Sequence, residues 1–317
     1  HHGRTRMAQP PPPTLPGSLR VPGIPGALVT LVVVLQGCTV SPTLQEEVRE
    51  MVSESGAEVG LVYRVLDGTD SLLVNPDLRM HAASTMKVPV MLQLYLDQEA
   101  GRLALDEPVE ITTTFHSIVD GSPFELHADS DSDTTLYGRV GEGMPRRELV
   151  DRMITRSSNL ATNLLIRDVG AARITATLRT LGADSMEVLR GVEDIPAFEA
   201  GLSNTTTARD LATVMAALLD PSLAGPAARE EMLSILERQH FRENIPAGLP
   251  PGTRVANKTG WITGINHDAA LVFPEGAPPY VLVILLRNHP GENQGEAFAA
   301  DLTRVIHRHH MTVHGPA

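Results

Sequence analysis

The chain has 317 residues, of which 42% are hydrophobic, and its 26 basic and 38 acidic side chains give a formal net charge of -12. This length is enough for a large core, in one domain or in two lobes. The negative charge argues against nucleic-acid binding, which needs a basic face to displace phosphate counterions. Only Lys87 and Lys258 are lysines, and every other basic residue is arginine.

Residues 1–37 have the pattern of an export signal. They contain three arginines and no acidic residue, and their apolar run ALVTLVVVL is too short to span a bilayer. The segment QGC that follows resembles a bacterial lipoprotein signal, in which the cysteine, here Cys38, becomes the lipidated first residue of the mature protein. We therefore expect an exported, periplasmic or cell-envelope protein whose one membrane contact is a lipid anchor at Cys38. The alternative is an ordinary cleaved signal with an unmodified Cys38, the only cysteine of the chain.

Hydrophobic periodicity predicts the first elements after this segment. A helix is expected over 43–54, followed by a hairpin around Asp67-Gly68. A second helix begins near Ser84 and is apolar almost all round, which predicts that it is buried. The polar stretch 116–143, with its acidic tract ADSDSD, is expected to be a solvated surface loop.

Helices dominate the middle of the chain, and strands return near its end. Five helices are predicted, over 145–156, 159–168, 171–181, 206–219 and 226–239. Three strand-like pieces follow, TRVANKTG, HDAALVFP and PYVLVILLRN, and then a terminal helix over about 293–309.

Strands from both ends of the chain can pair into one antiparallel sheet, with the middle helices forming a second lobe. We therefore expect an α/β fold of the α+β type, in which N- and C-terminal helices flank the sheet. The domain spans 38–317, with a sheet lobe over 38–83 and 250–317 and a helical lobe over 84–249. The cleft between the lobes is the expected ligand site.

Ser84 and Lys87 form an S-x-x-K sequence at the start of the second predicted helix. A spacing of three residues places the hydroxyl and the amine on one helix face, about 5–6 Å apart at their Cβ atoms. The positive helix N-terminus favours an alkoxide and pushes a lysine toward its neutral form, which can act as a base. Arginine stays charged and cannot do so. Taken alone, the sequence is a weak signal, because this spacing is common by chance.

Two further segments carry polar residues that could join this pair. The segment RSSN supplies Ser157 and Asn159 at a junction between helices, where polar residues are most often caps. The segment KTGW places Lys258 on a predicted strand, where a lysine could equally lie on the plain surface. Gly260 in the same strand, however, is typical of a close approach by a ligand or another backbone.

Together the three segments are far more specific than any one of them. Both lysines of the chain occupy the Lys positions of S-x-x-K and K-T-G, and S-x-N lies between, in the order of the penicillin-interacting serine enzymes. Over nearly all of residues 43–310 the sequence resembles a class A β-lactamase. The resemblance implies that Ser84 is the acylated nucleophile, that Lys87 activates it and that Ser157 relays a proton to the leaving nitrogen.

The resemblance also implies the substrate-binding residues. Asn159 would bind the amide side chain of the substrate, while Lys258 and Thr259 would hold its carboxylate beside Gly260. Lys258 would also help to polarise Ser157. The backbone N–H groups of Ser84 and Trp261 would form the oxyanion hole, which is usually the largest electrostatic contribution in acyl transfer.

Deacylation in class A enzymes needs a loop glutamate that holds a water molecule. Glu193, in the segment RGVEDIPAFE, lies at the matching place, and a solvated loop glutamate is an equal alternative. Glu199 is a weaker second candidate. Whether Lys87 or Glu193 is the base of the acylation step stays open.

Three departures from the family pattern bear on turnover. Ser158 stands where class A enzymes usually carry Asp, and Ala197 replaces the Asn that normally follows the glutamate by four residues. The strand after K-T-G has Asn266 and His267 in place of the Arg of many class A enzymes, and Trp261 is bulky at the cleft edge. Formation of an acyl-enzyme is therefore better supported than fast turnover.

The leading hypothesis is a β-lactamase, a monomer that acts on a small β-lactam or a peptidoglycan-peptide-like substrate without cofactor or metal. One alternative is a D-alanyl-D-alanine peptidase or esterase-like hydrolase of the same fold that β-lactams acylate slowly. Another is a non-catalytic cell-envelope binding protein. The histidines near the C-terminus are expected to lie at a solvated helix end rather than to bind metal; they are His307, His309, His310 and His314.

Overall fold

The computed structural model describes residues 42–291 and 294–316. The predicted signal segment 1–37 and the predicted lipid anchor at Cys38 lie outside the described residues. Within those ranges, no helix combines the length and the apolar character needed to cross a membrane.

The described chain folds into helices and strands in the order expected. Its α-helices are α1 (Leu44–Ser55), α2 (Lys87–Glu99), α3 (Arg146–Thr155), α4 (Asn159–Val169), α5 (Ala171–Thr180), α6 (Ile195–Glu199), α7 (Ala208–Ala217), α8 (Pro226–Glu237) and α9 (Gly295–His314). Its strands are β1 (Glu58–Val65), β2 (Ser71–Val74), β3 (Met80–His81), β4 (Pro108–Glu110), β5 (Thr114–His116), β6 (Pro123–Glu125), β7 (Gly143–Pro145), β8 (Thr205–Thr206), β9 (Arg254–Ile262), β10 (Ile265–Phe273) and β11 (Tyr280–Arg287). Short 3-10 helices lie at Ala83–Met86, Ala128–Ser130, Thr134–Arg139 and Ile245–Gly248.

Strands from the two ends of the described chain pair in one antiparallel sheet of order β2-β1-β11-β10-β9. Gly68 at the β1–β2 turn adopts a φ of 79°, which glycine reaches without a steric cost. Val283 of β11 pairs with Val62 on one side and with Ala269 on the other, and Ala269 in turn pairs with Lys258. Residues paired across a sheet share a face, so Lys258 lies on the same face as these three apolar side chains.

The two faces of the sheet contribute to two separate apolar cores. Val62, Ala269 and Val283 belong to the core that contains the helices of the middle lobe. Their strand neighbours on the opposite face pack with α1 and α9. Because both faces are covered, β11 reads YVLVILLR as a continuous apolar run and does not alternate with polar residues.

Helix α2 forms the centre of the helical lobe, where it contacts α3, α4, α5, α7 and α8. Every residue from Lys87 to Tyr95 is buried, as the apolar character of all its faces predicts. The expected mixed fold, with an antiparallel sheet flanked by terminal helices and a helical lobe, is confirmed. The five middle helices agree with their predicted ranges to within a turn, whereas α9 continues beyond its predicted end to His314.

The prediction of a solvated loop over 116–143 agrees with the exposure of most of its residues and was wrong for two aspartates of the acidic tract. The stretch contains β6 and two 3-10 helices, and the carboxylates of Asp131 and Asp133 are buried, with only 8% and 2% of each residue exposed. Asp133 accepts a hydrogen bond of 2.9 Å from Arg152 of α3, which compensates the burial of its charge. The acidic tract is therefore part of the packed structure.

Candidate active site

Ser84 lies in the 3-10 helix that precedes α2, and α2 itself begins at Lys87. Ala83 enters this turn with a φ of 47°, a strained conformation for a residue with a Cβ atom. A 3-10 helix has three residues per turn, so side chains three positions apart lie directly above one another. The S-x-x-K sequence therefore spans the junction of the 3-10 turn and α2, with Ser84 at the cleft and Lys87 fully buried.

The ammonium group of Lys87 reaches three oxygen acceptors on the neighbouring segment. Its Nζ lies 2.7 Å from the carbonyl oxygen of Ser157, 3.1 Å from the Ser157 hydroxyl and 3.0 Å from Oδ1 of Asn159. Burial lowers the pKa of Lys87 to about 7, against the opposing influence of the carboxylates of Asp131 and Glu193. A substantial fraction of this amine is consequently neutral near pH 7, as a base requires.

Ser157 connects the two lysines of the chain. Its Oγ lies 3.1 Å from Nζ of Lys87 and 3.2 Å from Nζ of Lys258. The residue has a φ of 57°, a left-handed backbone conformation that persists only when surrounding contacts impose it. Ser158 accepts from the N–H of Ala161 and thereby caps α4, so the cap expected from the sequence and the predicted site are both present in this segment.

Lys258 is fully buried on β9 and donates a second hydrogen bond, of 2.8 Å, to the carbonyl of Thr259. Burial lowers its pKa well below the usual value, the positive charge of Lys87 lowers it further, and Asp268 opposes the shift. The hydroxyl of Thr259 is buried and has no hydrogen-bond partner within the described residues. A buried hydroxyl without a partner is uncommon in a folded protein, and neither Thr259 nor Lys258 is among the residues that line the cleft.

Gly260 allows β9 to lie directly against the turn that carries Ser84. A Cβ atom at Gly260 would be 2.8 Å from the backbone nitrogens of both Ser84 and Thr85, closer than real Cβ atoms approach other atoms. The close approach that the strand glycine predicted is confirmed. It brings the backbone of Gly260 beside the backbone nitrogen of Ser84, one of the two groups expected to form the oxyanion hole.

Glu193 faces the same cleft and is bound from two sides. Its Oε1 accepts a hydrogen bond of 3.0 Å from Nδ2 of Asn159, so the Asn159 amide links Lys87 to Glu193. The Ser130 hydroxyl lies 3.3 Å from Oε1 and 3.2 Å from Oε2 of the same carboxylate. Glu193 has a φ of 63°, while Glu199 is exposed at the end of α6 and does not line the cleft. The structure thus brings Glu193, and not Glu199, to the site.

The loop that carries Glu193 is fastened to the rest of the helical lobe. Asp194 caps α6 by accepting from the N–H of Ala197, and it also accepts hydrogen bonds of 2.8 Å from the Ser117 hydroxyl and 2.9 Å from the Ile118 N–H. Ser117 and Ile118 follow β5, in the stretch predicted to be solvated. The carboxylate of Asp194 therefore joins two segments that are far apart in the sequence.

His267, which together with Asn266 occupies the place of the arginine predicted from the family resemblance, lies on β10. It is fully buried, its Nε2 lies 2.9 Å from the carbonyl oxygen of His81, and its Nδ1 accepts from the N–H of Leu286. Burial lowers the pKa of His267 to about 4, so the ring is neutral. His81 in turn accepts from the N–H of Ala83. His267 therefore supports the Ser84 turn and offers no charge to a substrate.

The cleft has a volume of about 580 Å³ and combines a polar floor with an apolar rim. Ser84, Ser157, Asn159 and Glu193 line its floor. The rim includes the exposed side chains of Ile195, Phe198, Trp261 and Ile262, and Trp261 is 60% exposed, as its predicted place at the cleft edge requires.

The prediction that the histidines of α9 lie at a solvated helix end was wrong for two of them. His310 is buried and lies 2.8 Å from the Tyr63 hydroxyl, and His307 is buried 3.0 Å from the Tyr280 hydroxyl. No group of three or more histidine, cysteine or acidic side chains in the described part of the chain is arranged to hold a metal ion.

Sequence reasoning missed two residues of the site, Ser130 and Asp131. Asp131 accepts from the N–H groups of Asn159 and Leu160, at 3.0 Å and 2.8 Å, at the start of α4. The tract ADSDSD did contain a signal for this role. Its aspartates alternate with serines, and the structure buries Asp131 and Asp133 while it exposes the serines beside them.

A part-exposed serine beside two buried lysines that share a second serine, with a tethered glutamate opposite, defines a serine hydrolase of the penicillin-interacting type. Comparison with known proteins agrees with this class. The model of the β-lactamase enzyme family matches residues 43–310, and the chain belongs to that family. The resemblance stated from the motifs is thereby confirmed.

Individual relatives show how far the similarity extends. The β-lactamase AST-1 of Nocardia asteroides is 30% identical over 279 residues, which cover 86% of each protein. An ancestral class A β-lactamase is 25% identical with a TM-score of 0.73, over 84% of this chain and 100% of its own. A mutant of PBP-A, solved as an acyl-enzyme complex with penicillin G, is 27% identical with a TM-score of 0.72, over 84% of this chain and 95% of its own.

Proposed function

We propose that the chain is a serine β-lactamase that opens the β-lactam ring through an acyl-enzyme on Ser84 and then hydrolyses it. The observation that carries the proposal is the Ser157 hydroxyl, which lies within hydrogen-bond distance of the buried amines of both Lys87 and Lys258. Family membership and the names of the relatives support a β-lactam as the substrate class.

In the acylation step, Ser84 Oγ attacks the carbonyl carbon of the lactam and its proton passes to the neutral amine of Lys87. The C–N bond then breaks as Ser157 gives its proton to the ring nitrogen, and the new ammonium of Lys87 restores the Ser157 proton. The contact of 3.1 Å between Lys87 and Ser157 supports this transfer. The pKa of about 7 supports Lys87 as the base of this step.

Substrate binding uses the groups at the other end of the cleft. Lys258 and the Thr259 hydroxyl hold the carboxylate of the β-lactam, and the N–H groups of Ser84 and Trp261 receive the developing oxyanion. The unpaired buried hydroxyl of Thr259 and the approach of Gly260 to Ser84 support these two roles. Asn159 binds the amide side chain of the substrate.

Deacylation requires a water molecule to attack the ester carbonyl while Glu193 takes its proton. The ester C–O bond then breaks, and the proton returns to Ser84 Oγ. The hydrogen bonds from Asn159 and Ser130 support this role, because they aim the Glu193 carboxylate into the cleft.

The proposal is tested by following the acyl-enzyme directly. Intact mass spectrometry during reaction with penicillin G, together with a chromogenic cephalosporin assay, is expected to show a transient adduct and multiple turnovers. Glu193→Gln should accumulate the adduct, because loss of a general base slows deacylation by about 10²- to 10⁴-fold. Glu199→Gln removes the same charge from the exposed end of α6 and should behave as the wild type.

Two other outcomes would contradict the proposal. A long-lived adduct on the wild-type chain, unchanged in Glu193→Gln, would point to a peptidase or esterase-like enzyme that β-lactams merely inhibit. If the wild type forms no adduct and behaves as Ser84→Ala does, the chain is a binding protein.

For localisation, we propose an exported monomer that is anchored to the cell envelope by a lipid on Cys38. The lipoprotein-like segment before Cys38 supports this. Cys38→Ser is expected to release the protein from the membrane fraction, and unchanged partitioning would refute lipidation. Light scattering of the released protein should give the mass of one chain, and a doubled mass would refute the monomer.

A further inference from the structure

This chain lacks two residues of the family pattern. Ala197 stands in place of an asparagine, and Ser158 stands in place of an aspartate. We infer that Ser130 and Asp131, from the acidic tract, supply equivalent contacts and position Glu193 for deacylation. This inference rests on the proposed function, because it concerns the hydrolysis of the acyl-enzyme.

The Ser130 hydroxyl is the group that restrains Glu193 from the outer side of the cleft. It lies 3.3 Å from Oε1 and 3.2 Å from Oε2 of Glu193, and 3.1 Å from the carbonyl oxygen of His127, so three acceptors share its single proton. Asn159 donates only to Oε1. The two carboxylate oxygens are therefore unequal. Within the described residues Oε2 has Ser130 as its sole hydrogen-bond donor, and it keeps a lone pair available for water.

Asp131 anchors the tract on which Ser130 lies. Its carboxylate accepts from the N–H groups of Asn159 and Leu160, the first two residues of α4, and the Tyr137 hydroxyl donates to it at 3.0 Å. A carboxylate at a helix N-terminus is stabilised both by these N–H groups and by the helix dipole. Ser158 caps the same helix with a neutral hydroxyl only, so the negative charge at this end of α4 comes from Asp131.

These contacts make Ser130 and Asn159 parts of one rigid unit. Asp131 fixes the tract to the backbone N–H of Asn159, whose side chain binds Glu193, while the neighbouring Ser130 binds the same carboxylate. Asp133 strengthens the unit through Arg152 of α3. Glu193 is consequently held between two groups whose separation is set by α4.

Ser130 is thus a positioning residue for the step that Glu193 performs, and it has no role in attack by Ser84. Ser130→Ala should slow the hydrolysis of a penicillin G acyl-enzyme about tenfold, because a hydrogen bond to a charged group is lost. The second-order rate constant for acylation should stay within about twofold of the wild type, and Ser130→Thr should restore deacylation by returning the hydroxyl.

The experiment measures both rate constants by quenched-flow intact mass spectrometry, with Thr134→Ala as the control. That variant removes an exposed hydroxyl just after the tract, one that does not line the cleft and for which the described structure gives no contact with Glu193. The inference is overturned if Ser130→Ala deacylates as fast as the wild type, or if acylation falls in parallel, which would indicate a general structural defect. Failure of the proposed function would appear separately, as a wild-type chain that never forms or never clears the adduct.

Discussion

The two walls of the cleft are built in different ways. The wall that would acylate, with Ser84, Lys87, Ser157 and Lys258, is held by the buried helix α2 and the edge strand β9, and its amines are desolvated. The opposite wall, around Glu193, is held by side-chain hydrogen bonds between loops. Acylation of Ser84 therefore depends on core packing. Hydrolysis of the acyl-enzyme depends on a few polar contacts, which single mutations can alter one at a time.

The largest expected effect is on the acylation rate and comes from substitution of Lys87. Lys87→Arg should lower the acylation rate about a thousandfold, because arginine cannot act as a base and its guanidinium is too large for the site. In the wild type the lowered pKa of Lys87 sets the pH dependence. Below about pH 7 the amine is protonated and acylation falls, and above it the rate reaches a plateau. A stopped-flow pH profile with no change between pH 6 and 8 would contradict this role.

The second effect tests the close approach of β9 to the turn that carries Ser84. Gly260→Ala places a Cβ atom 2.8 Å from the N–H groups of Ser84 and Thr85, so β9 or the 3-10 turn must move. A displacement of this size should reduce acylation about a hundredfold. Gly68→Ala, at a turn away from the cleft, is the matched control for a loss of stability alone. Equal acylation rates in both variants would show that the close approach has no catalytic meaning.

A third and smaller effect concerns the wall of the cleft around Glu193. Asp194→Asn keeps the shape of the side chain but replaces one acceptor among those used by Ser117, Ile118 and Ala197. Loss of one such bond should slow deacylation about three- to tenfold and leave acylation unchanged. Single-turnover kinetics separate the two steps, and a parallel fall in acylation would break the distinction between the walls.

The smallest effect concerns stability and not rate. The pKa of His267 falls from an ordinary value of 6.5 to about 4 in the fold, so the folded state binds fewer protons than the unfolded chain between these values. Its contribution to stability is therefore complete above pH 6.5 and decreases as the pH falls toward 4. Urea unfolding at pH 7 and pH 4.5 should show a larger decrease in the free energy of unfolding for the wild type than for His267→Gln. Equal losses would indicate a charged or solvated ring.

The same contrast explains what the sequence could predict. The fold follows from hydrophobic periodicity. The wall around Ser84 was predicted because three short motifs resemble a known family, although its contacts join residues 70 and 101 positions apart. The Ser84 turn was assigned to an α-helix, since periodicity does not distinguish a 3-10 turn from the α-helix it joins. The loop wall was harder to predict. Ser130 and Glu193 are 63 residues apart, and their contact depends on the tertiary packing of the acidic tract.

The shared contact of two amines with the Ser157 hydroxyl has a consequence for proton uptake by the cleft. Burial and, after it, the positive charge of Lys87 lower the pKa of Lys258, so the two amines resist carrying a charge at the same time. An arriving carboxylate reverses this preference, since an anion beside Lys258 favours its ammonium form. An anion held at Lys258 and a proton on that amine therefore favour each other.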